Sequence, residues 1–406
     1  DVRAHGAFHQ LGDSGIWSAG GDLDDDTQEG SAEVKKQSYL STENLAAGYD
    51  GKAWIREISI HASRGEIVTL IGPNGAGKST ILKSIAGQLK PVGGVVSLDG
   101  RPREQWPETE IARRMAVMMT ERTQPELMTC FDVAAMGRYP HTGRFGTLSE
   151  ADRKVVWHAL DMVHAKELAD RDFSRISDGQ RQRILLARAI CQQPQIILLD
   201  EPTSFLDIRH KMELLTILKT LVREKQVAVL MSMHELDLAQ KVSDYIVCVG
   251  ENKIWKCGTP EEIFTETCME ELFGIPGGSY CAEYGSVELP AAAGTPEVFV
   301  IGGNGSGIPV YRQLQRQGIP FAAGVLHEND LDYPVAKALA VQVVSEQPYE
   351  VIREETYEEA LRVMKVCGKV ILCVQEFGSG NRKNKELAQW AEQNRMLVSP
   401  AVNGWE

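Results

Sequence analysis

Residues 67–80 read Ile-Val-Thr-Leu-Ile-Gly-Pro-Asn-Gly-Ala-Gly-Lys-Ser-Thr, and this stretch decides the fold. The first five residues predict a buried β-strand, and a helical pattern begins near Ile81. The segment between them fits the spacing G-x-x-x-x-G-K-[ST] of loops that cradle nucleotide phosphates. A glycine-rich turn could match this spacing by chance. Strand, loop and helix in this order favour phosphate binding instead, within an α/β fold.

Each residue type in this loop has a physical reason to be there. Three glycines let the backbone curl so that its N–H groups and the start of the helix face the phosphates. The lysine is expected to reach the β- and γ-phosphates, and the serine hydroxyl to coordinate Mg²⁺. The residues expected to contact the nucleotide are Gly72, Pro73, Asn74, Gly75, Ala76, Gly77, Lys78, Ser79 and Thr80.

A second motif, about 120 residues further on, supplies carboxylates. Residues 196–201 read Ile-Ile-Leu-Leu-Asp-Glu, which predicts a buried parallel strand that ends in two acids. Ligands bind at the carboxyl ends of strands in such sheets. Asp200 is therefore expected to hold the Mg²⁺, directly or through water, and Glu201 to polarise the attacking water.

Composition narrows the class of protein. The 406 residues are 43% hydrophobic and 24% charged, which is typical of a globular chain of two or three domains. The formal charge of −13, without a basic stripe, argues against nucleic acid as the principal ligand. No apolar run is long enough to cross a bilayer, so we expect a soluble chain. The eight cysteines lack Cys-x-x-Cys spacing, which disfavours a zinc site or a disulfide framework.

The chain divides into three parts. Residues 1–37 hold six glycines and eight acids against three bases, and are expected to form a disordered acidic tail. The phosphate loop belongs to a domain at 38–289, and 288–296 is expected to be a linker. A smaller domain at 290–406 alternates strands with helices, which predicts a parallel Rossmann-like sheet. Its expected strands are 298–301, 321–326, 341–344, 369–374 and 396–398, and its helices are 310–316, 335–340, 357–366 and 385–393.

Between the two motifs of the first domain, residues 176–180 read Ile-Ser-Asp-Gly-Gln. This segment resembles the signature Leu-Ser-Gly-Gly-Gln of ATP-binding-cassette (ABC) ATPases, from which Ile176 and Asp178 depart. The resemblance implies that Ser177, Gly179 and Gln180 bind the γ-phosphate of ATP held by a second subunit. Ser177 also suits an ordinary helix N-cap, a structural role that is compatible with the functional one. The resemblance implies a P-loop cassette fold: a RecA-like α/β core, a helical subdomain and an antiparallel β subdomain.

Other family marks follow in order. Tyr49 matches the aromatic residue that stacks on adenine, Asp207 belongs to a segment like the loop that contacts the partner subunit, and His234 matches the histidine that bonds the γ-phosphate. With Glu201 and Lys78, His234 completes the expected catalytic set. Thr120 occupies the position of a glutamine that approaches Mg²⁺, so we expect it as a third metal-side residue, with shorter reach; Gln124 or Glu121 is the alternative.

Residues 38–275 most resemble importers of iron-siderophore complexes, haem and cobalamin. The resemblance implies a homodimer that hydrolyses ATP with Mg²⁺ on the cytoplasmic face of the cell membrane. It also implies a membrane permease and an extracytoplasmic binding protein as partners. Leu127, Met128 and Phe131 are candidates for permease contact, with ordinary packing as the alternative. The alternatives are an importer of another substrate and a soluble ABC ATPase of DNA repair or translation, although the second cassette, zinc modules and long coiled coils usual in that class are not seen.

The smaller domain carries a second glycine-rich loop, Ile-Gly-Gly-Asn-Gly-Ser-Gly-Ile at 301–308, between a strand and a helix. This is the context of a dinucleotide loop, but the glycine spacing differs from G-x-G-x-x-G. Glu328 lies roughly where a ribose-binding acid would be. A tight turn without ligand is the alternative, and we expect a regulatory or docking module that senses a small ligand.

Overall fold

The computed structural model describes residues 38–119, 127–143, 146–274 and 279–399. The predicted acidic tail and Thr120 lie outside these residues. Within them, no helix combines the length and the apolar character needed to cross a bilayer. The eight cysteines are all described, and each is a free thiol.

The largest sheet of the described residues has eleven strands. Ten of them follow the spatial order β6-β5-β1-β2-β11-β10-β4-β9-β8-β7, and β3 pairs with β1. Strands β4, β7, β8, β9 and β10 run parallel to their neighbours in this group, whereas β1, β2, β3, β5 and β6 form an antiparallel part. The strands are β1 Ser38–Tyr49, β2 Lys52–Ile58, β3 His61–Ser63, β4 Ile67–Ile71, β5 Gly93–Leu98, β6 Arg101–Pro102, β7 Met115–Met118, β8 Ile196–Asp200, β9 Ala228–Ser232, β10 Tyr245–Gly250 and β11 Lys253–Gly258.

The central strands are buried on both faces. In β4, Ile67 and Ile71 pack into one hydrophobic cluster and Val68 and Leu70 into another, because successive side chains of a strand point to opposite faces. Strands β8 and β9 are likewise buried at every position. The near-continuous apolar runs that predicted these strands therefore correspond to a parallel sheet covered on both sides.

Helices cover this sheet, and the described residues between β7 and β8 form a mainly helical part. Polar caps start several of these helices: Ser149 and Asp152 form a reciprocal capping box on α4, Ser177 and Gln180 form one on α5, and Asp207 caps α6. The helices are α1 Lys78–Ala86, α2 Glu108–Arg114, α3 Cys130–Ala135, α4 Glu150–Met162, α5 Asp178–Cys191, α6 Ile208–Lys225, α7 Leu236–Val242, α8 Pro260–Ile263 and α9 Glu266–Phe273.

A hairpin and a smaller parallel sheet complete the chain. The hairpin pairs β12 Ser279–Cys281 with β13 Ser286–Glu288. The four-stranded sheet has the order β16-β15-β14-β17, the Rossmann-like arrangement that the alternation predicts. Its strands and helices are β14 Val298–Ile301, α10 Ile308–Gln317, β15 Phe321–His327, α11 Asp332–Leu339, β16 Gln342–Glu346, α12 Glu354–Cys367, β17 Lys369–Leu372 and α13 Arg382–Gln393.

Some predicted boundaries were wrong. The segment expected as a last strand, 396–398, makes one isolated parallel bridge, between Leu397 and Val370, whose two backbone hydrogen bonds join Val370 to Met396 and Val398. Helix α1 begins at Lys78, earlier than the apolar pattern near Ile81 indicates, because Gly77 is its N-cap. The domain boundary at 289/290 stays a prediction.

Candidate functional site

A cavity of about 420 Å³ opens at the carboxyl edge of β4, where the glycine-rich loop meets the residues that follow β8 and β9. This is the edge at which parallel α/β sheets bind ligands. The cavity collects predicted residues from four separate segments and one that was not predicted. Its lining comprises Tyr49, Trp54, Asn74, Gly75, Gly77, Lys78, Ser79, Thr80, Glu201 and His234.

The loop that forms the cavity floor requires glycine at two positions. At Gly72 the backbone has φ +147°, and an added Cβ would lie 2.0 Å from the carbonyl oxygen of Val249. At Gly77 φ is +98°, and an added Cβ would lie 2.0 Å from Ile55 Cδ1. No other residue fits either place without displacing backbone or core. Gly77 is also the N-cap of α1, so the start of this helix faces the cavity.

Lys78 is folded back on the loop. Its Nζ donates hydrogen bonds to the carbonyl oxygens of Gly72 at 2.7 Å and Pro73 at 3.0 Å, and the residue is only 5% exposed. Burial lowers the pKa of this ammonium below its ordinary value, while the carboxylates of Glu201 and Asp200 act in the opposite direction. The loop therefore holds a cation whose present partners are two neutral carbonyl groups.

Ser79 and Asp200 are brought together as the motifs predict. The Ser79 hydroxyl donates to Asp200 Oδ1 at 2.9 Å, and the Ser232 hydroxyl donates to the same oxygen at 2.7 Å. Hydroxyl and carboxylate oxygens are the ligands that Mg²⁺ prefers. The donor set thus fits this ion, whose third expected neighbour, Thr120, lies outside the described residues.

Glu201 and His234 form a contact at the cavity wall. His234 Nε2 is hydrogen-bonded to Glu201 Oε1, and the Ser204 hydroxyl donates to Glu201 Oε2 at 3.0 Å. The backbone N–H of Glu201 donates to the Ser232 hydroxyl at 2.9 Å, and its φ of +49° is uncommon for a residue with a side chain. Both carboxylate oxygens are therefore oriented by hydrogen bonds, one to His234, which follows β9, and one to Ser204, three residues further along the chain.

Two aromatic residues flank the cavity. Tyr49 is 51% exposed, and its hydroxyl lies 3.5 Å from Thr80 Oγ1. Trp54, which the sequence did not single out, is 55% exposed and lies against Gly77. Exposed aromatic faces beside a phosphate loop suit stacking on a base. A tryptophan on a strand with no motif around it offers no sequence signal for this position.

Ser177, Gly179, Gln180 and Asp207 do not line this cavity. They meet elsewhere: a Cβ added at Gly179 would lie 3.3 Å from the ring of His210, and the Asp207 carboxylate accepts hydrogen bonds from the His210 backbone and ring, each at 2.9 Å. The Ser177 hydroxyl accepts from the N–H of Gln180 at 3.3 Å, so the N-cap role is present. The signature residues and Asp207 thus form one separate surface cluster.

The unusual acid of the signature is neutralised locally. Asp178 Oδ1 accepts a hydrogen bond from Arg181 Nη1 at 2.6 Å, one turn along α5. Two charged residues three positions apart on a helix are neighbours, so the sequence itself carried the signal for this pair. Asp178 therefore adds little net negative charge to the start of the helix.

The second glycine-rich loop is filled by the chain itself. The buried Asp332 carboxylate accepts hydrogen bonds from the N–H groups of Gly303, Gly307 and Ile308, and Asp330 accepts from Asn304 at 3.0 Å. Burial raises the pKa of the Asp332 carboxyl, although these hydrogen bonds act in the opposite direction. The amides that would hold a dinucleotide phosphate are already occupied, which favours the alternative of a tight turn without ligand. The ribose contact expected of Glu328 would need a phosphate bound at this loop, and the loop offers no open place for one.

Comparison with known families agrees with this geometry. Residues 55–204 match the family model described as ABC transporter, and residues 321–402 match the MJ0874 family. An uncharacterized ABC transporter ATP-binding protein of Methanocaldococcus jannaschii, MJ0873, is 40% identical over 288 residues, which are 71% of this chain and 99% of the relative.

Relatives with assigned substrates are also similar. The iron(3+)-hydroxamate import ATP-binding protein FhuC of Bacillus subtilis is 36% identical over 58% of this chain and 88% of its own length. The cobalamin import ATP-binding protein BtuD of Halobacterium salinarum is 33% identical over 77% of this chain and 80% of its own length. A solved ABC transporter described as of the metal-chelate type, in an inward-facing conformation, has a TM-score of 0.52 at 28% identity, covering 59% of this chain and 90% of that chain.

Proposed function

The chain belongs to the ATP-binding proteins of ABC transporters, and on that premise we propose that it powers uptake of a metal chelate: an iron-siderophore complex, haem or cobalamin. It is an ATPase coupled to transport, of the siderophore and cobalamin importer type. The observation that carries the proposal is the cavity that unites Lys78, the Ser79–Asp200 pair and the Glu201–His234 contact. The substrates of FhuC and BtuD support the chelate class.

Hydrolysis follows from the positions of these side chains. The triphosphate lies on the loop amides and at the start of α1, and Lys78 exchanges its two carbonyl partners for phosphate oxygens. Ser79 and Asp200 would hold Mg²⁺, which when bound neutralises charge on the phosphates. Glu201 accepts a proton from the attacking water, and His234 stabilises charge on the γ-phosphate. Tyr49 and Trp54 stack on the base.

The surface cluster formed by the signature residues and Asp207 supports the proposal of a homodimer. Ser177, Gly179, Gln180 and Asp207 do not line the cavity of their own chain, yet the family assigns such residues to ATP contact and to the loop between subunits. In the proposal they complete the cavity of a second copy, so each dimer holds two composite ATP sites. ATP binding closes the dimer, and hydrolysis reopens it.

A membrane permease is the proposed partner that receives this motion, with an extracytoplasmic binding protein on its far side. Leu127 is 96% exposed, which suits contact with another polypeptide. Met128 and Phe131 instead pack against the helical core, and the Phe131 ring lies 5.1 Å from that of Trp157. Leu127 is therefore the better candidate of the three. The working place of such a complex is the cytoplasmic face of the cell membrane.

The C-terminal part, 290–406, is proposed as a regulatory or docking module. Two of its contacts involve the hairpin: Tyr284 donates a hydrogen bond to the Leu331 carbonyl oxygen at 2.7 Å, and Arg312 pairs with the buried Glu288. Lys337 pairs with Glu266 at 3.1 Å. A small ligand on this module would reach the cassette through these contacts, although the filled glycine loop disfavours a nucleotide as that ligand.

Replacement of the expected base tests the proposal. Glu201→Gln removes the proton acceptor and keeps the shape, so ATP turnover should fall by at least about 100-fold. ATP binding should persist, and the variant should accumulate as an ATP-dependent dimer. Phosphate release and light scattering with and without ATP measure the two effects.

Glu358→Gln is the matched control, since this exposed glutamate lies on α12, far along the chain from the cavity residues. It should hydrolyse ATP at the rate of the unmodified chain. Undiminished turnover in Glu201→Gln would remove Glu201 from the catalytic set. Uptake of labelled ferric siderophore, haem or cobalamin into vesicles with the cognate permease then decides among the substrates.

A further inference from the structure

A second large cavity, of about 530 Å³, lies at the opposite edge of the main sheet. It is bounded by α4, by the end of α5, by the last turn of α6, and by the residues that precede β8 and β9. The phosphate loop and the catalytic carboxylates lie at the carboxyl ends of these strands, so this cavity belongs to neither. Its volume is in the range of pockets that bury small organic ligands.

The floor of this cavity is apolar. Two glutamine side chains line it, and both are engaged by the protein: Gln193 Oε1 accepts from Arg138 at 2.9 Å, and Gln195 Oε1 accepts from Arg64 and Arg114, each at 3.2 Å. The floor would therefore contribute to the binding free energy of a ligand mainly by burying hydrocarbon. The apolar lining residues are Val155, Met162, Ile190, Pro194, Ile197, Leu221 and Val227.

The rim of the cavity is cationic. Lys154 on α4 and Lys225 on α6 line it and are exposed, and His158 lies one turn beyond Lys154. Neither lysine has an ion-pair partner among the residues that the structure describes, and the nearby Asp161 is paired with Lys166 at 2.9 Å. An apolar floor below two unpaired ammonium groups is complementary to a molecule with a hydrocarbon body and an anionic head.

We propose that this cavity is a binding site for a small amphipathic carboxylate with an unbranched aliphatic chain. The chain lies on the floor between α4 and α6, and the carboxylate is bound by Lys154 and Lys225. Such a ligand would touch both the helical part and the sheet core, at a place remote from ATP.

Calorimetric titration of the full chain with hexanoate, octanoate, octanol and octylamine tests the proposal. Each methylene buried on the floor should raise the affinity about fourfold, so octanoate should bind more tightly than hexanoate. Octanoate should also bind more tightly than octanol, and octylamine more weakly than either. The double variant Lys154→Gln, Lys225→Gln should lose about tenfold in octanoate affinity and keep its octanol affinity.

Lys52→Gln combined with Lys90→Gln changes the same net charge at two exposed lysines outside the cavity and should leave octanoate binding unchanged. Val155→Phe fills the floor and should weaken both octanoate and octanol, with an unaltered circular dichroism spectrum showing that the fold is retained. No binding by any of the four compounds, or equal binding of octanoate and octylamine, overturns the proposal. A change of oligomeric state in Val155→Phe would show that a second copy covers the cavity, and would also overturn it.

Discussion

Single carboxylates in this chain are held in contrasting ways. Glu201 lines an open cavity, Asp332 closes a glycine loop, and Glu346 lies fully inside the C-terminal part at 1% exposed. Glu346 accepts hydrogen bonds from the Arg353 backbone and guanidinium, from the Thr356 hydroxyl at 2.8 Å and from the Gln347 N–H at 3.0 Å. A buried charge with so many donors stabilises the fold only while it stays ionised.

The pH dependence of Glu346 gives a residue-scale prediction. Burial tends to raise the pKa of this carboxyl, but the hydrogen bonds outweigh burial and hold the pKa at about 2, below the ordinary 4.5. The stabilisation is therefore complete above pH 4.5 and is lost as the pH falls toward 2. Glu346→Gln should lower the free energy of unfolding by roughly 3 kcal/mol at pH 7, and the difference from the unmodified chain should shrink between pH 4.5 and 2.

Urea unfolding followed by circular dichroism across this pH range measures the difference. The exposed substitution Glu358→Gln is its control and should change the stability little at any pH. A deficit in Glu346→Gln that stays constant from pH 7 to 3 would contradict the assigned pKa.

At the scale of elements, a buried ion pair connects two helices of the helical part. Arg138 and Asp152 meet at 2.9 Å with side chains that are 8% and 12% exposed, and Arg138 also donates to the Cys191 carbonyl oxygen at 2.8 Å. Asp152 belongs to the capping box of α4, and Cys191 ends α5. One guanidinium thus connects the start of one helix with the end of another. Hydrogen bonds from Ser149, followed by those from Arg138, hold the pKa of Asp152 below its ordinary value.

Removal of that guanidinium should be costly. Arg138→Leu leaves Asp152 buried without its counter-charge, so the free energy of unfolding should fall by about 3 kcal/mol or more. Arg175→Leu removes a guanidinium whose side chain is 84% exposed, and should cost less than about 0.5 kcal/mol. Denaturant midpoints of the two variants give the comparison. Similar small losses in both would mean that the buried pair contributes nothing net.

The sequence could predict elements where the determining contacts are local. The phosphate loop, β8 and the alternation after residue 297 follow from patterns a few residues long, and all were found. The filling of the second glycine loop by Asp332 joins positions 24 or more residues apart, so no local pattern reports it. Trp54 reaches the cavity through strand pairing, which spacing does not show. Asp178 and Arg181 are a different case, since their i, i+3 pairing was readable in advance.

At the scale of the whole molecule, the separation of the signature cluster from the cavity predicts complementation between damaged chains. A Lys78→Ala chain lacks the lysine that binds phosphate oxygens. A Ser177→Arg chain carries a bulky side chain that prevents its signature segment from contacting ATP. Each alone should form dimers with no working site. Mixed dimers should contain one site with both parts intact, because in a symmetric pair each site combines different parts of the two chains.

ATP hydrolysis by the two variants, separately and after mixing, measures the effect. Mixing should restore activity that neither chain shows alone. A mixture of Lys78→Ala with Glu201→Gln is the control, because both changes fall on the same side of the composite site and leave no intact combination. Recovery in the control, or none in the test mixture, would refute the shared-site arrangement.

The two glycine loops of this chain hold side chains of opposite charge. In the first, a lysine ammonium rests on carbonyl oxygens and is ready to exchange them for phosphate. In the second, a carboxylate supplied by the polypeptide already takes the place of an external anion. The second loop is therefore complete at every concentration of nucleotide in its surroundings. A rise or fall in ATP acts on the first half of the chain and leaves the internal anchor of the second unchanged.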